Sequence, residues 1–221
     1  MCKAVGAAKL ARAIAIAEAG DAGAMCNVGL YYAKGTGVAM DERTAVEWFR
    51  RAAEAGDADA QYSLGISYAN GRGVAKDARA AVSWYCRAAE AGHVYTQRNL
   101  AHCYREGNGV DTDLRLAVVW FRRAADAGDA TAQTCLGVRY LRGLGVAKDA
   151  RAAVAWFRRA AEAGYATAQY NLGVCFVNGD GVRVDAREAS AWFERAAASG
   201  DTEVVVDARV WLAKLRACDP L

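Results

Sequence analysis

The sequence predicts an all-α protein made of five 36-residue helix–loop–helix repeats with a cap helix at each end. Tryptophan recurs at positions 48, 84, 120, 156 and 192, a constant interval of 36 residues without any insertion. Each tryptophan lies in an alanine-rich segment such as AVSWYCRAAEAG, which ends at Gly92. Alanine is the strongest helix former, and a fixed period of this length indicates a stack of identical helical units.

The period places the repeats at residues 21–56, 57–92, 93–128, 129–164 and 165–200. Residues 1–20 precede them as an N-terminal cap helix, and residues 201–221 follow as a C-terminal cap helix. The N-terminal segment has Arg12 in the register where a repeat has tryptophan. Such a departure fits a cap, because the terminal units of a repeat array differ from the internal ones.

The second repeat illustrates the first helix and the loop of a unit. Helix A, at about 58–69, carries an apolar stripe that includes Leu64. Gly65 lies beside that stripe, and a glycine in a helix interior indicates the close approach of another backbone. Gly71 is expected to end the helix in the left-handed conformation, and Gly73 supplies a second permissive turn. Asp77 is expected to cap helix B through its carboxylate.

Helix B of the same repeat, at about 78–91, has apolar residues at i, i+3, i+4, i+7 and i+8, which predicts a broad buried face. Trp84 and its four equivalents are expected in the core, so replacing one by alanine should cost roughly 3–5 kcal/mol. Aspartate at the end of most repeats is placed to cap the next helix A, but His93 and Tyr165 stand at two of these junctions. Both junctions are expected to lack a side-chain cap.

Composition excludes several classes of protein. The net charge of +3 is too small to indicate a nucleic-acid partner, and no apolar stretch is long enough to span a membrane. Seven cysteines are scattered, and only Cys103 and Cys175 share a repeat position, which favours unpaired thiols in a reducing, cytoplasmic compartment. Lys9, Arg12 and Glu18 interrupt the run that a signal peptide needs. No pattern of metal ligands is present, and we predict neither a metal nor a cofactor.

The unit GDADAQYSLGISYANGRGVAKDARAAVSWYCRAAEAG resembles the Sel-1-like repeat, a relative of the tetratricopeptide repeat with slightly longer units. The matching elements are A-Q-x-x-L-G-x-x-Y, G-x-G-V, an aspartate, and A-x-x-W-[YF]-x-x-A-A, over about 180 residues. The departures are Met25, Val28, Ala101, Phe176 and Ser190. The resemblance implies a right-handed α/α superhelical solenoid that acts as a scaffold or adaptor for a protein or peptide partner. Some secreted bacterial members have paired cysteines in each unit, a pattern that this chain lacks.

In tetratricopeptide-like stacks the first helices line a concave groove, and periodicity indicates the same face here. Positions 4, 5, 8, 9 and 12 of each repeat are kept between copies, whereas positions 3, 6, 10, 13 and 14 vary. A stack buries its repeated side and leaves the variable side to a ligand. The candidate partner-binding residues on this concave helix A face are Tyr62, Ile66, Asn70, Tyr95, Arg98, His102, Arg105, Glu106, Thr134, Val138, Arg142, Tyr170, Val174 and Asn178.

The middle of this face is basic and aromatic, and arginine and tyrosine are enriched in binding hot spots. We therefore expect an extended or helical peptide with an acidic group near Arg98, Arg105 and Arg142. The competing interpretation is the solvated surface of a spacer protein.

Two other functions are weaker. A hydrolase could use His102 and Cys103, with His93 nearby, but adjacent helical residues point about 100° apart and do not form a nucleophile–base pair. A helical-repeat nucleic-acid binder needs a regular polar code on each helix A, and the variable positions show none. The glycine-containing loops do not continue into the Gly-Lys-Ser/Thr sequence of a phosphate-binding loop.

Overall fold

A computed structural model describes residues 2–218 of the protein, and this range contains only α-helices and the loops between them. In chain order the helices are α1 (Cys2–Glu18), α2 (Ala22–Lys34), α3 (Glu42–Glu54), α4 (Ala58–Asn70), α5 (Ala78–Glu90), α6 (Val94–Glu106), α7 (Leu114–Asp126), α8 (Ala130–Arg142), α9 (Ala150–Glu162), α10 (Ala166–Asn178), α11 (Ala186–Ala197) and α12 (Thr202–Cys218). The predicted all-α repeat fold with terminal cap helices is confirmed. Residue 1 and residues 219–221 of the predicted caps lie outside the described residues.

Helix A and helix B alternate along the chain. Helix A is α2, α4, α6, α8 and α10, helix B is α3, α5, α7, α9 and α11, and α1 and α12 are the caps. The chain divides into two compact units, one up to Thr112 and the other from Asp113 onwards. Within each unit consecutive helices pack against each other, and some helices A also contact the helix A of the next repeat, as α2 contacts α4 and α8 contacts α10.

The helix ends follow the predicted capping residues. Every helix B has an aspartate at its N-cap whose carboxylate accepts backbone N–H bonds, as Asp77 does from Arg79 and Ala80 at 3.0 Å. Every helix A ends at a left-handed glycine, as at Gly71, where φ is 73°. The start of each helix B and the end of each helix A are therefore fixed by residues that recur in every repeat.

The two junctions without aspartate differ from each other. At Tyr165 no side-chain hydrogen bond caps α10, as predicted. At His93 the prediction is wrong, because the imidazole Nδ1 accepts the backbone N–H of Thr96 at 3.2 Å. An imidazole nitrogen can accept a hydrogen bond as a carboxylate oxygen does, so the cap of α6 is chemically different but present.

The aromatic residue that fills the core of each repeat is not the tryptophan. Phe121, Phe157 and Phe193 of helix B are completely buried, whereas Trp120 and Trp156 are only half-buried. Each tryptophan ring is covered instead by the arginine three residues later, with guanidinium carbons 4.2–4.8 Å from the ring centroids. The predicted core position of the five tryptophans is therefore corrected: only that of the fifth repeat is buried.

The helix A glycines face these buried rings. A Cβ built on Gly137 would lie 2.5 Å from Phe157 Cε1, and the equivalent distances at Gly29, Gly65 and Gly173 are 2.5–2.8 Å. The close backbone approach predicted for these glycines occurs at the second loop glycine instead. A Cβ on Gly73 would lie 2.0 Å from the carbonyl oxygen of Glu42 in the preceding repeat.

A buried glutamine ties four of the repeats to the preceding helix B. The side-chain amide nitrogens of Gln61, Gln97, Gln133 and Gln169 donate to carbonyl oxygens eight residues earlier at 3.0–3.2 Å. The acceptors are alanines in the last turn of helix B, for example Ala125 for Gln133. A buried amide group without a hydrogen-bond partner would destabilise the folded protein. This contact therefore favours one register between consecutive repeats.

Candidate functional site

The predicted partner-binding residues lie on the variable side of the helices A, which we call the helix A face. Thirteen of the fourteen are exposed or half-buried, and Tyr95 is the most accessible large apolar side chain among them, at 59% exposed. Those from Tyr62 to Glu106 belong to the first unit, and those from Thr134 to Asn178 belong to the second.

Thr134 is the exception, and its predicted exposure is wrong. Its side chain is only 6% exposed, and its hydroxyl donates to the carbonyl oxygen of Ala130 at 2.8 Å. Threonine is short enough to donate to a carbonyl oxygen four residues back in its own helix, so its side chain stays in the packed layer. A longer side chain at this position would project into solvent. Thr134 therefore offers no surface to a partner.

Tyr170 is also less available than its position predicts. Its hydroxyl accepts the indole N–H of Trp211 at 3.2 Å, and its ring lies 5.7 Å from that of Phe193. Tyr170 therefore holds the C-terminal cap helix on the fifth repeat. In the same unit Val138 and Val174 are half-buried, and Arg142 and Asn178 are exposed at the ends of their helices.

The basic part of the face is held in place by local contacts. The guanidinium carbon of Arg98 lies 5.5 Å from the ring centroid of Tyr95, a cation–π distance. Arg105 forms an ion pair with Glu106, whose carboxylate also accepts from Asn108 at 2.9 Å. The hydrogen bond from Arg105 is the largest cause that lowers the pKa of Glu106 below its ordinary value. An acidic partner would have to compete with Glu106 for Arg105.

Two pockets open on the helix A face of the first unit. Pocket I has a volume of about 310 Å³ and is enclosed by α2, α3 and α4, with mainly apolar walls formed by Leu30, Ala33, Phe49, Tyr62, Ile66 and Ser67. Pocket II has a volume of about 430 Å³ and is enclosed by α4, α5 and α6, with walls that include Ala69, Tyr85, Asn99, His102, Cys103 and Glu106. Phe49 and Tyr85 share one position of the 36-residue period, as do Ser67 and Cys103, so the two pockets are the same site in successive repeats.

The sequence pattern does not single out one residue that lines or fills this site. That residue is at position 11 of the repeat, where the second to fifth repeats and the C-terminal cap have Ser67, Cys103, Arg139, Cys175 and Trp211. The buried Arg139 lies with its guanidinium carbon 4.8 Å from the ring centroid of Phe121. The ring of Trp211 stacks on that of Phe193 at 5.8 Å with an interplanar angle of 4°. Side-chain size at this position was the signal available in the sequence.

His93 lies in a cluster that has the connectivity of a catalytic triad. Its Nε2 lies 3.2 Å from Asp59 Oδ1, and its Nδ1 lies 2.6 Å from Thr96 Oγ1. Thr96, however, is completely buried, so no substrate can reach its hydroxyl. Because Nδ1 already accepts the Thr96 N–H and the ring stacks on Tyr62 at 4.8 Å, the arrangement caps and packs α6.

The thiol of Cys103 is not activated by its surroundings. Burial, together with the negative charge of Glu106, raises its pKa to about 11. The equivalent Cys175 has its pKa raised to about 11 as well, mainly by burial. A thiol with a raised pKa stays protonated at neutral pH, whereas a catalytic cysteine needs the thiolate.

Alkylation of the native chain should therefore be slow at Cys103. At pH 8 we expect its rate to be about 100-fold below that of N-acetylcysteine, because two pKa units reduce the thiolate fraction by that factor. The rate should keep rising with pH towards about 11, the pKa of the thiol. Mass spectrometry of iodoacetamide-treated protein measures this at each cysteine, and Cys175 is the internal control. Labelling of Cys103 at pH 7 as fast as that of N-acetylcysteine would contradict this result and support a nucleophile.

Neither a metal centre nor a membrane span is found in the part of the chain that the structure describes. Among residues 6–217, whose side chains the structure describes, no group of three or more His, Cys, Asp or Glu is able to hold a metal ion. None of the helices in this range has the length and apolarity needed to cross a membrane.

Comparison with known proteins agrees with the repeat geometry. The chain is similar in structure to a Sel1 repeat protein from Oxalobacter formigenes, with 32% identity, a TM-score of 0.82, and coverage of 90% of this chain and 88% of that one. It is also similar to c5321, a protective antigen present in uropathogenic Escherichia coli strains displaying an SLR fold, with 28% identity and a TM-score of 0.65. That match covers 97% of this chain and 57% of the antigen.

A putative sel1 repeat protein from Klebsiella pneumoniae subsp. pneumoniae shares the fold at 23% identity and a TM-score of 0.53, covering 91% of this chain and 98% of that one. No curated protein matches the sequence. The family model described as Sel1 repeat matches residues 22–57, 58–93, 94–129, 130–165 and 166–201. Since these five consecutive matches span most of the sequence, the chain belongs to the Sel1 repeat family.

Proposed function

We propose that this chain is a scaffold that binds an acidic segment of a partner protein on its helix A face. Sel1 repeat proteins are generally protein-interaction scaffolds, and the proposal adds the face and the chemistry of the partner. The observation that carries it is the contrast between two sides of the same helices. The position of Leu64 is buried in every repeat, whereas the variable position of Ile66 stays partly accessible in every repeat. A surface that varies and remains open is the one on which a repeat protein can be specific.

Arg98 and Tyr95 are the residues of the first unit that suit an acidic partner best. The cation–π contact holds the guanidinium near an exposed tyrosine ring, so little side-chain freedom is lost on binding. Arginine and tyrosine are also the residue types most enriched in binding hot spots. Arg105 adds positive charge to the same helix but remains shared with Glu106.

Catalysis is the weaker alternative. The two candidate nucleophiles are disfavoured on separate grounds, since the Cys103 thiol has a raised pKa and the Thr96 hydroxyl is buried. The Sel1 repeat is also generally a non-enzymatic scaffold fold.

Charge reversal tests the proposal. The variant Arg98→Glu/Arg105→Glu should lose binding of partners that the parent chain captures, by about tenfold or more in Kd, because two favourable charge contacts become repulsive. The matched control is Arg115→Glu/Arg151→Glu, which changes the net charge equally at exposed first-turn positions of helix B. Circular dichroism checks that both variants keep their helices. Equal binding by the two variants would contradict the assignment of the helix A face as the partner-binding surface.

A further inference from the structure

At two places in the second unit, a side chain of the protein itself occupies the space above the buried aromatic ring of helix B. At the last junction an indole lies flat on Phe193, and at the junction between the third and fourth repeats a guanidinium lies over Phe121. Both groups are planar and come from position 11 of the repeat or cap segment that follows. The protein therefore shows which kind of group this site accepts: a flat side chain that stacks on the ring.

Pocket I is the same site without such a group. Position 11 is Ser67, whose hydroxyl is turned back to the carbonyl oxygen of Ser63 at 3.0 Å. Serine is shorter than arginine or tryptophan, and a cavity of about 310 Å³, lined in part by Phe49, lies beside it. That volume lies within the roughly 300–1,000 Å³ typical of ligand pockets.

The walls and the rim of pocket I differ in chemistry. Leu30, Ala33, Phe49 and Ile66 form an apolar wall, which favours an apolar occupant. Lys34 and Arg72 bring two positive charges to the rim, against one negative charge from Glu42. An occupant that is apolar at its tip and negatively charged at its base matches both.

Pocket II is a poorer site for the same occupant. Its equivalent walls are more polar, with His102 in place of Ile66 and Asn99 in place of Ser63. An apolar side chain gains less there, because it would displace water from polar groups. The two pockets therefore discriminate, and the apolar anchor belongs in pocket I.

We propose that pocket I binds an aromatic or large aliphatic side chain of the partner protein that has a carboxylate residue next to it in sequence. This inference rests on the proposed function, because it names the anchor by which a partner peptide is held on the helix A face. Position 11 is then a specificity-determining position: a small residue opens the site, and a large residue closes it from within the chain.

The test uses a displayed library of random 12-residue peptides, selected on the immobilised full chain. We expect the enriched peptides to share an aromatic or large aliphatic residue adjacent to Asp or Glu. The variant Ser67→Arg copies Arg139 and fills pocket I, so it should weaken an enriched peptide by about tenfold or more, as loss of a hot-spot contact does. Ser67→Ala leaves the pocket open and should bind within about twofold of the parent. Arg72→Glu should weaken only peptides that carry the acidic residue.

The outcomes separate this inference from the proposed function. If enriched peptides bind Ser67→Arg as tightly as the parent but lose binding to Arg98→Glu/Arg105→Glu, the helix A face is the interface and pocket I is not its anchor. Enrichment without an apolar–acidic pair also refutes the inference. If no peptide is enriched on the parent chain, both proposals are wrong for the first unit. Circular dichroism must show that Ser67→Arg keeps the helix content of the parent chain. The repeat fold accommodates arginine at this position, since the fourth repeat has Arg139 there.

Discussion

Replacing Phe157 by alanine is expected to lower the free energy of unfolding by about 3–5 kcal/mol, the usual cost of removing a buried phenylalanine. The Phe157 ring is completely buried, and Gly137 of the helix A in the same repeat approaches it so closely that even a methyl group would collide. A ring held this tightly leaves a cavity when it is removed, because the backbone around it cannot collapse fully. Urea denaturation, monitored by circular dichroism, measures this loss of unfolding free energy.

The neighbouring Trp156→Ala change is the matched comparison. Trp156 is half-buried, and part of its contribution comes from Arg159, whose guanidinium carbon lies 4.8 Å from the ring centroid. An exposed cation–π contact contributes about 0.5–1 kcal/mol, so we expect Trp156→Ala to cost about 1–3 kcal/mol in total. A loss for Trp156→Ala equal to or larger than that for Phe157→Ala would show that the tryptophan, and not the phenylalanine, is the core residue.

The repeat fold was predictable from sequence because each local rule is repeated several times. The cap at Asp77 and the left-handed glycine at Gly71 depend only on residues within one turn, and five copies of the same pattern reinforce one another. The prediction failed where two residues satisfy the same rule. Trp84 and Tyr85 both fall in the apolar stripe of helix B, and periodicity alone does not say which of two adjacent residues faces the core.

The candidate site was predictable only as a face. Period counting identified the accessible side of helix A, but it did not detect that a short hydroxyl side chain such as Thr134 bonds its own helix and is buried. It also did not predict pocket I, since that cavity is enclosed by three helices from two repeats. The same limit applies to Trp211, whose contact with Tyr170 links residues 41 positions apart.

Gly145→Ala is expected to be a strongly destabilising loop substitution in the second unit. Gly145 has φ of +76°, a left-handed conformation that costs a residue with a side chain roughly 1–2 kcal/mol. In addition, a Cβ at this position would lie 2.1 Å from the carbonyl oxygen of Leu114, the first residue of α7. Backbone cannot move aside as a flexible side chain can, so overpacking adds about 1–3 kcal/mol, for a total of about 2–5 kcal/mol.

Gly164→Ala separates these two contributions. Gly164 also has a positive φ, +87°, but a Cβ there would meet nothing within 4 Å. It should therefore lose only the conformational part, roughly 1–2 kcal/mol. If urea denaturation gives the same loss of unfolding free energy for both variants, the contact between the loop of the fourth repeat and the start of α7 contributes nothing to stability. A larger loss for Gly145→Ala would explain the constant 36-residue period physically, because one inserted loop residue would move the glycine away from the carbonyl that it must pass.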